Sequence, residues 1–595
     1  MREFSVPATS TVPDDFTLSD LIVDNAVRTP HQVQFRRQFQ GRWEDVTCRD
    51  FLAEVTALAK GLVASGVETG ARVAIMSRTR YEWTLADFAI WAAGAVPVPI
   101  YETSSAEQVE WILTDSGAVG AFVELDAHAR VVDQVRGAAP GFTHLWRFET
   151  DLENLVESGR AITDADLEDR RRRLHADSLA TLIYTSGTTG RPKGCELTHR
   201  NFKAGTDSIA EALEGVFGPG RSTLLFLPLA HVFARVIEVG CVRSGVTMGH
   251  TADVATLLDD LMVFQPTFIL SVPRVFEKIY NGAQAKATLD GKGKIFDRAA
   301  SVAIAHSQAQ DEGGPGVALK VQHALFDRLV YGKMRARLGG RVEYAVSGGA
   351  PLGARLGHFY RGIGVTILEG YGLTETTAGS TINAPHAIQV GSVGRPIPAS
   401  GVRIADDGEV LLRGPHVFPG YWQNPEATAE AFEPDGWFRT GDIGELDGEG
   451  FLRITGRKKE IIVTSAGKNV APAVLEDRLR AHPLVSACMV VGDNRPYIAA
   501  LITLDSEAAP GWLATHGLPP DTPLADLIED PSAVAAVQSA VDDANQAVSK
   551  AEAIKRFVIL PVDFTEDGGQ LTPTLKLKRG AVLKDFAAAV ESLYS

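Results

Sequence analysis

The stretch Tyr184-Thr-Ser-Gly-Thr-Thr-Gly-Arg-Pro-Lys-Gly194 concentrates hydroxyls, glycines and a lysine in eleven residues directly after an apolar run. Glycines let backbone N–H groups turn inward, hydroxyls add donors, and Lys193 adds positive charge, which together make a polyphosphate cradle. Its candidate contacts are Thr185, Ser186, Gly187, Thr188, Thr189, Gly190 and Lys193. A GxxxxGK(S/T) loop is excluded, because a match starting at Gly187 would need glycine where Pro192 stands.

Two further loops carry chemistry. Ser347-Gly-Gly-Ala-Pro351 is small enough for a flat ring to lie against the backbone at Gly349, Ala350 and Pro351. Glu369-Gly-Tyr-Gly-Leu-Thr-Glu-Thr376 offers Gly370, the aromatic face of Tyr371, Gly372, the hydroxyl of Thr374 and the carboxylate of Glu375. Stacking, phosphate contact and Mg2+ binding by Glu375 are natural roles for these groups. Asp442, in Trp437-Phe-Arg-Thr-Gly-Asp-Ile-Gly444, is a candidate ribose-hydroxyl acceptor, and Arg457 a candidate donor to the same sugar. Taken together the loops describe an adenine, its phosphates and a metal. Asp447-Gly-Glu-Gly is no EF-hand, since register places Ile443 and Ile454 at liganding positions.

The elements that position these loops alternate. ARVAIMS from Ala71, GAFVEL from Gly120, SLATLIYT from Ser178, PTFILSV from Pro266, RVEYAVS from Arg341 and GVTILEG from Gly364 read as short strands. Helix-period segments such as 51–62 lie between them. The pattern predicts an α/β fold with βαβ units and mostly parallel sheets, which bind ligands at the carboxyl ends of strands. The composition changes near residue 456. Beyond it, EIIVTS, SACMVVG and IAALITL surround a helix from Pro472 to Ala481, as in a compact α+β domain of about 140 residues. The expected organisation is a large multi-sheet part, 1–456, and a small mobile part, 457–595. Residues 281–340 read as a mostly helical Lys- and Ala-rich insertion.

Composition bounds the rest. The chain has 595 residues, a net charge of −16, 45% hydrophobic and 22% charged residues, which is globular and not disordered. The acidic balance argues against a nucleic-acid partner, and Arg170–Arg173 sits among acids as a solvated face. Cys48, Cys195, Cys241 and Cys488 show no CxxC spacing, so neither zinc site nor disulfide framework is expected. The apolar stretch Ala89–Ile100 holds two prolines and is too short to span a bilayer. A cytoplasmic protein is expected, with peripheral membrane contact left open.

In order, the phosphate loop, SGGAPL, EGYGLTET, WFRTGDIG, GRKKEIIVTSAGKNVAP and LTPTLKLKR resemble the acyl-adenylate-forming superfamily over most of the chain. LPLAHVFAR from Leu227 and SVPRVFEKI from Ser271 are similar to its long-chain fatty acid–CoA ligases, as is the insertion. The resemblance implies two steps. A fatty acid and ATP give acyl-AMP and pyrophosphate, and coenzyme A then displaces AMP. It implies Lys576, in preference to Lys578, as the adenylation lysine, and His231 beside the carboxylate. It also implies a pivot at Lys459, about which the C-terminal part swings between half-reactions. Arg235 stands where some bacterial relatives carry a tryptophan gate, which puts that gate in doubt. A rival reading is an acyl-AMP ligase that hands its acyl group to a carrier protein. A third is a nucleotide- or lipid-binding protein without activity, which no lost reactive residue favours.

Overall fold

The structure, a computed structural model, describes residues 1–595 except 186–190, 254, 520–521, 567 and 573–575. Three sheets have the parallel character that the alternating pattern predicts. In the first, Val96–Ile100, Arg72–Met76, Ala118–Val123 and His144–Arg147 lie in that order, all parallel. In the second, Phe268–Ser271, Tyr344–Ser347 and Thr366–Tyr371 run parallel, extended by the short antiparallel strands Thr381–Ile382 and Arg395–Pro396. In the third, Ser222–Leu225, Thr247–His250 and Val33–Phe39 are parallel and Arg42–Thr47 turns back on them. The strand Arg72–Met76 is buried from Val73 onward, as a sheet covered on both faces requires.

The packed helices follow the same logic. Tyr81–Ala92 is buried along almost its whole length and apolar nearly all round, with Thr84 and Asp87 as internal polar groups that must find partners. Cys48–Ala64 starts in a capping box made by Thr47 and Asp50.

Two departures from the sequence expectation have plain causes. Residues 401–457 build a five-stranded antiparallel sheet, in the order Glu3–Ser5, Gly401–Ile404, Glu409–Arg413, Phe438–Leu446 and Leu452–Arg457. Tight connections at Asp407-Gly408 and Asp447–Gly450 allow direct return of the chain, and the edge strand comes from the far N-terminus. In EIIVTS only Ile462–Val463 forms a strand, paired with Asn469–Val470. SACMVVG and IAALITL become Val485–Val491 and Ile498–Leu504, joined by Ile554–Ile559. The helix after Ala471 runs Pro472–Arg480.

Residues from Ile462 to Ile559 share one apolar core of their own. This part meets the rest of the chain along the helix Pro273–Leu289. Lys278 reaches Glu507 at 2.8 Å, and Arg274 donates to the Ser486 hydroxyl at 3.0 Å. Among the described residues no helix is long and apolar enough to cross a membrane.

Candidate active site

The strand Leu179–Thr185 pairs antiparallel with Lys193–Thr198, and Thr185 faces Lys193 across the ladder. The expected phosphate loop is therefore the connection of a hairpin and not a strand-to-helix turn. Its members Ser186, Gly187, Thr188, Thr189 and Gly190 lie outside the described residues. Both ends of the hairpin are anchored. The Tyr184 hydroxyl donates to Asp115 at 2.6 Å, and the Trp111 indole N–H donates to the Pro192 carbonyl at 2.8 Å.

Lys193 Nζ stands 4.9 Å from the centre of the Tyr421 ring. Tyr421 pairs with Cys195 on the same small sheet, and its hydroxyl donates to Glu375 Oε1 at 2.8 Å. One phenol thus fixes the carboxylate and touches the cation. Sequence reasoning missed it, because an aromatic residue 46 positions from Glu375 gives no local signal. Thr374 and Glu375 open a single 3₁₀ turn, Thr374–Thr376, that packs on the strand Lys193–Thr198. The Glu375 carbonyl is held by the Phe418 N–H at 2.8 Å.

The register Ser347↔Glu369 sets the loops after Tyr344–Ser347 and Thr366–Tyr371 side by side. Glu369 is buried between them and accepts from the Leu352 N–H at 3.3 Å; burial pushes its pKa up to about 7. Gly349, at φ +82°, Ala350 and Pro351 are exposed at this edge. Gly372 has a packing reason of its own, since a Cβ there would sit 1.4 Å from the Ala378 carbonyl oxygen. Gly370 is similarly pressed against the Thr381 carbonyl, 3.0 Å from an added Cβ.

Asp442 and Arg457 are cross-strand partners. Arg457 Nε meets Asp442 Oδ1 at 2.9 Å, and the Tyr371 hydroxyl donates to Oδ2 at 2.7 Å. The carboxylate is 4% exposed while the guanidinium is 46% exposed. Burial raises the Asp442 pKa, and Arg457, Tyr371 and Lys576 pull against that rise. Each carboxylate oxygen keeps a second lone pair, so a ribose diol can still donate to it.

His231 is the N-cap of the helix Val232–Ser244; its Nδ1 accepts from the Phe233 N–H at 3.1 Å. Burial, with the Lys576 charge beside it, pushes its pKa down to about 3. The imidazole is neutral, and with Nδ1 accepting, the proton belongs on Nε2, which can donate. Phe233 lies against Gly348, so this helix end abuts the Ser347–Pro351 loop. Lys576 has a solvent-accessible side chain, but it stands in a cleft walled by protein. That crowding and the Arg457 charge lower its pKa, opposed by Asp442 and Glu375. Its backbone closes on Thr572, which accepts the Lys576 N–H at 3.0 Å through its hydroxyl. The charges of Arg457, Asp442 and Glu375 therefore converge on one ammonium group, which stands near His231. Lys459 lies outside this cluster, exposed in the turn Lys458–Glu460 that follows Arg457.

Arg235 points into the core and not toward a substrate gate. It is fully buried with Asp87, bonding it through Nε at 2.9 Å and Nη2 at 2.5 Å, and its Nη1 donates to Thr181 at 2.6 Å. Trp83 and Trp91 lie over the guanidinium.

The cleft thus offers three cations, Lys193, Arg457 and Lys576, with a hydrogen-bonded carboxylate, a buried diol acceptor and a neutral imidazole donor. Among the described residues no group of three His, Cys, Asp or Glu could hold a metal alone. Glu375 could hold Mg2+ together with nucleotide phosphates, which is how that ion is commonly bound.

The fold is shared with solved structures. One is the anthranilate CoA ligase AuaEII in complex with anthranoyl-AMP, with a TM-score of 0.73, 20% identity, and coverage of 97% of this chain and 98% of that one. Another is the Mycobacterium tuberculosis fatty acyl CoA synthetase, with a TM-score of 0.63, 23% identity, and coverage of 96% and 98%. Residues 22–422 match the AMP-binding enzyme family, and 459–595 match the AMP-binding enzyme C-terminal domain. The chain belongs to the AMP-binding enzyme family. It is 52% identical over 599 residues to the long-chain-fatty-acid--CoA ligase FadD15 of Mycobacterium tuberculosis, covering 100% of both. It is 30% identical to the human long-chain-fatty-acid--CoA ligase 1, covering 90% of this chain and 80% of that protein.

Proposed function

We propose that this protein is an AMP-forming acid–thiol ligase that activates medium-to-long-chain fatty acids. Fatty acid and ATP give acyl-AMP and pyrophosphate; acyl-AMP and coenzyme A then give acyl-CoA and AMP. The observation that carries this reading is the convergence on Lys576 of His231, Glu375 and the Asp442–Arg457 pair.

The physical problem is attack by one anion on another. A fatty-acid carboxylate oxygen must bond to the α-phosphorus while the bond to pyrophosphate breaks, so charge has to be offset at the reacting centre. Lys576 supplies a cation there. His231 donates from Nε2 to the carboxylate and orients it without adding charge. Mg2+ held at Glu375 would neutralise phosphate charge. Thr185, the hydroxyls and backbone of Ser186, Gly187, Thr188, Thr189 and Gly190, and Lys193 grip the departing pyrophosphate. The adenine lies along Gly349, Ala350 and Pro351 against Tyr371, with Gly370 and Gly372 shaping that turn and Thr374 reaching phosphate. The ribose hydroxyls bond Asp442 and Arg457.

In the second step the coenzyme A sulfur attacks the acyl carbonyl, its proton leaves, and AMP departs. Lys576 has no part in that step. A swing of residues 457–595 against 1–456 about Lys459 would withdraw it and admit the thiol. A cytoplasmic enzyme in peripheral contact with a membrane, the phase in which long acyl chains dissolve, fits the same reading.

Incubation with palmitate or laurate, ATP, Mg2+ and coenzyme A tests the proposal. Fatty acyl-CoA, AMP and pyrophosphate are expected in equal amounts. Acyl-AMP accumulating without thioester would replace it with ligation to a carrier protein.

A further inference from the structure

Among the described residues, the helical segment 273–337 carries the most concentrated run of exposed aliphatic side chains. On the helix Val317–Phe326 and the turn Asp327–Tyr331, Val317 is 79% exposed, Val321 65%, Leu325 58% and Leu329 48%. They recur every four residues, so they form one continuous row along one face. A soluble helix normally turns such a row inward; this one packs by its other side, where His323 bonds the Gly362 carbonyl. The row runs on into a groove of about 360 Å³ between residues 283–296 and residues 329–337. Leu329 and Ile295 lie at its lip, and Phe296, Val330 and Met334 line it. Lys286, Lys292, Lys333 and Arg337 rim it, with Asp290 the single acid among its lining residues.

The charge of this segment is opposite to that of the chain. Residues 286–337 hold nine Lys and Arg against five Asp and Glu, a local +4 in a protein of −16. On the row itself Lys320 and Arg328 are exposed beside the aliphatic side chains, on stems long enough to keep their charges at a headgroup level while the apolar groups go deeper. An acidic protein can approach an anionic surface only through such a face.

We propose that this face is a docking surface for an anionic lipid bilayer. The row Val317, Val321, Leu325 and Leu329 enters the acyl boundary, and Lys286, Lys292, Lys333 and Arg337 engage lipid phosphates. The inference deepens the reading of the protein as a fatty-acid ligase in contact with a membrane. It gives the insertion 281–340 the task of holding the enzyme at the phase from which its substrate comes.

Flotation of the full chain with vesicles tests this directly. One set is pure phosphatidylcholine and the other contains about a quarter phosphatidylglycerol. The protein should float with the anionic vesicles and be released by salt. Val321→Glu/Leu325→Glu and, separately, Lys333→Glu/Arg337→Glu should each lower the bound fraction at least about tenfold. Both should leave pyrophosphate exchange with a dissolved fatty acid unchanged. Absence of wild-type binding to either vesicle overturns membrane docking, while intact exchange activity keeps the ligase reading. Undiminished binding of both variants moves the contact to another surface and overturns this assignment. So does a wild-type dimer that the variants disperse with vesicle binding unchanged, since a second copy would then cover the row.

Discussion

Asp87–Arg235 and Asp442–Arg457 are the same chemical pair in two settings. In the first, both side chains are fully buried, Trp83 and Trp91 lie over the guanidinium, and its remaining nitrogen is spent on Thr181. In the second, the carboxylate is buried but the guanidinium is about half exposed, and a phenol rather than a core threonine completes the shell. The closed pair ties the helix Tyr81–Ala92 and the strand Leu179–Thr185 to the helix that His231 caps. The open pair presents unspent donors and lone pairs to a cleft. A saturated pair holds elements together; a half-saturated one is available to a ligand.

The largest effect expected from this contrast is on stability. Arg235→Ala leaves Asp87 as an unpaired buried charge and should cost about 3–5 kcal/mol in denaturant unfolding. Arg457→Ala leaves Asp442 bonded by Tyr371 at the edge of an open cleft and should cost less, about 1–2 kcal/mol. Equal losses would erase the distinction. Next comes nucleotide binding. Asp442→Asn keeps the shape but halves the acceptor capacity and removes the charge, so ATP should bind roughly 10- to 100-fold more weakly by titration calorimetry. Tyr371→Phe takes away one donor to Asp442 and should weaken ATP by about fivefold, on the order of 1 kcal/mol.

The smallest effect is in pH. His231 is held neutral by burial, with its pKa near 3 against an ordinary 6.5. A value depressed in the folded state adds stability above pH 6.5 that is lost as pH falls toward 3. The adenylation rate should therefore change less than about twofold on His231's account between about pH 8 and 6. A histidine titration near 6.5 that His231→Asn abolishes would contradict the neutral assignment.

Local signals carry much of the site. The run Leu179–Thr185 is apolar, β-branched and followed by glycines, so strand and loop are both legible in the residues themselves. Pro472 marks its helix start because its missing N–H is harmless there. What escapes such signals is long-range. The sheet holding Asp442 and Arg457 closes with Glu3–Ser5, whose partners are about four hundred residues away, and no periodicity announces that pairing. Tyr421 reaches Glu375 through a second strand pair and belongs to no motif. The cap made by His231 is hidden because serine, threonine, aspartate and asparagine are the usual caps. Arg235 stands where some relatives carry a gate tryptophan, and only the packing of Trp83, Trp91 and Asp87 around it reveals a core residue.

The central claim is that one cleft uses Lys576 to join two anions and dispenses with it for thioester formation. The direct measurement follows both half-reactions in Lys576→Ala, as fatty-acid-dependent pyrophosphate exchange and as acyl-CoA formed from supplied acyl-AMP. The account predicts exchange lowered by about 100-fold or more, with thioester formation within about twofold of wild type. Equal loss of both half-reactions would contradict it.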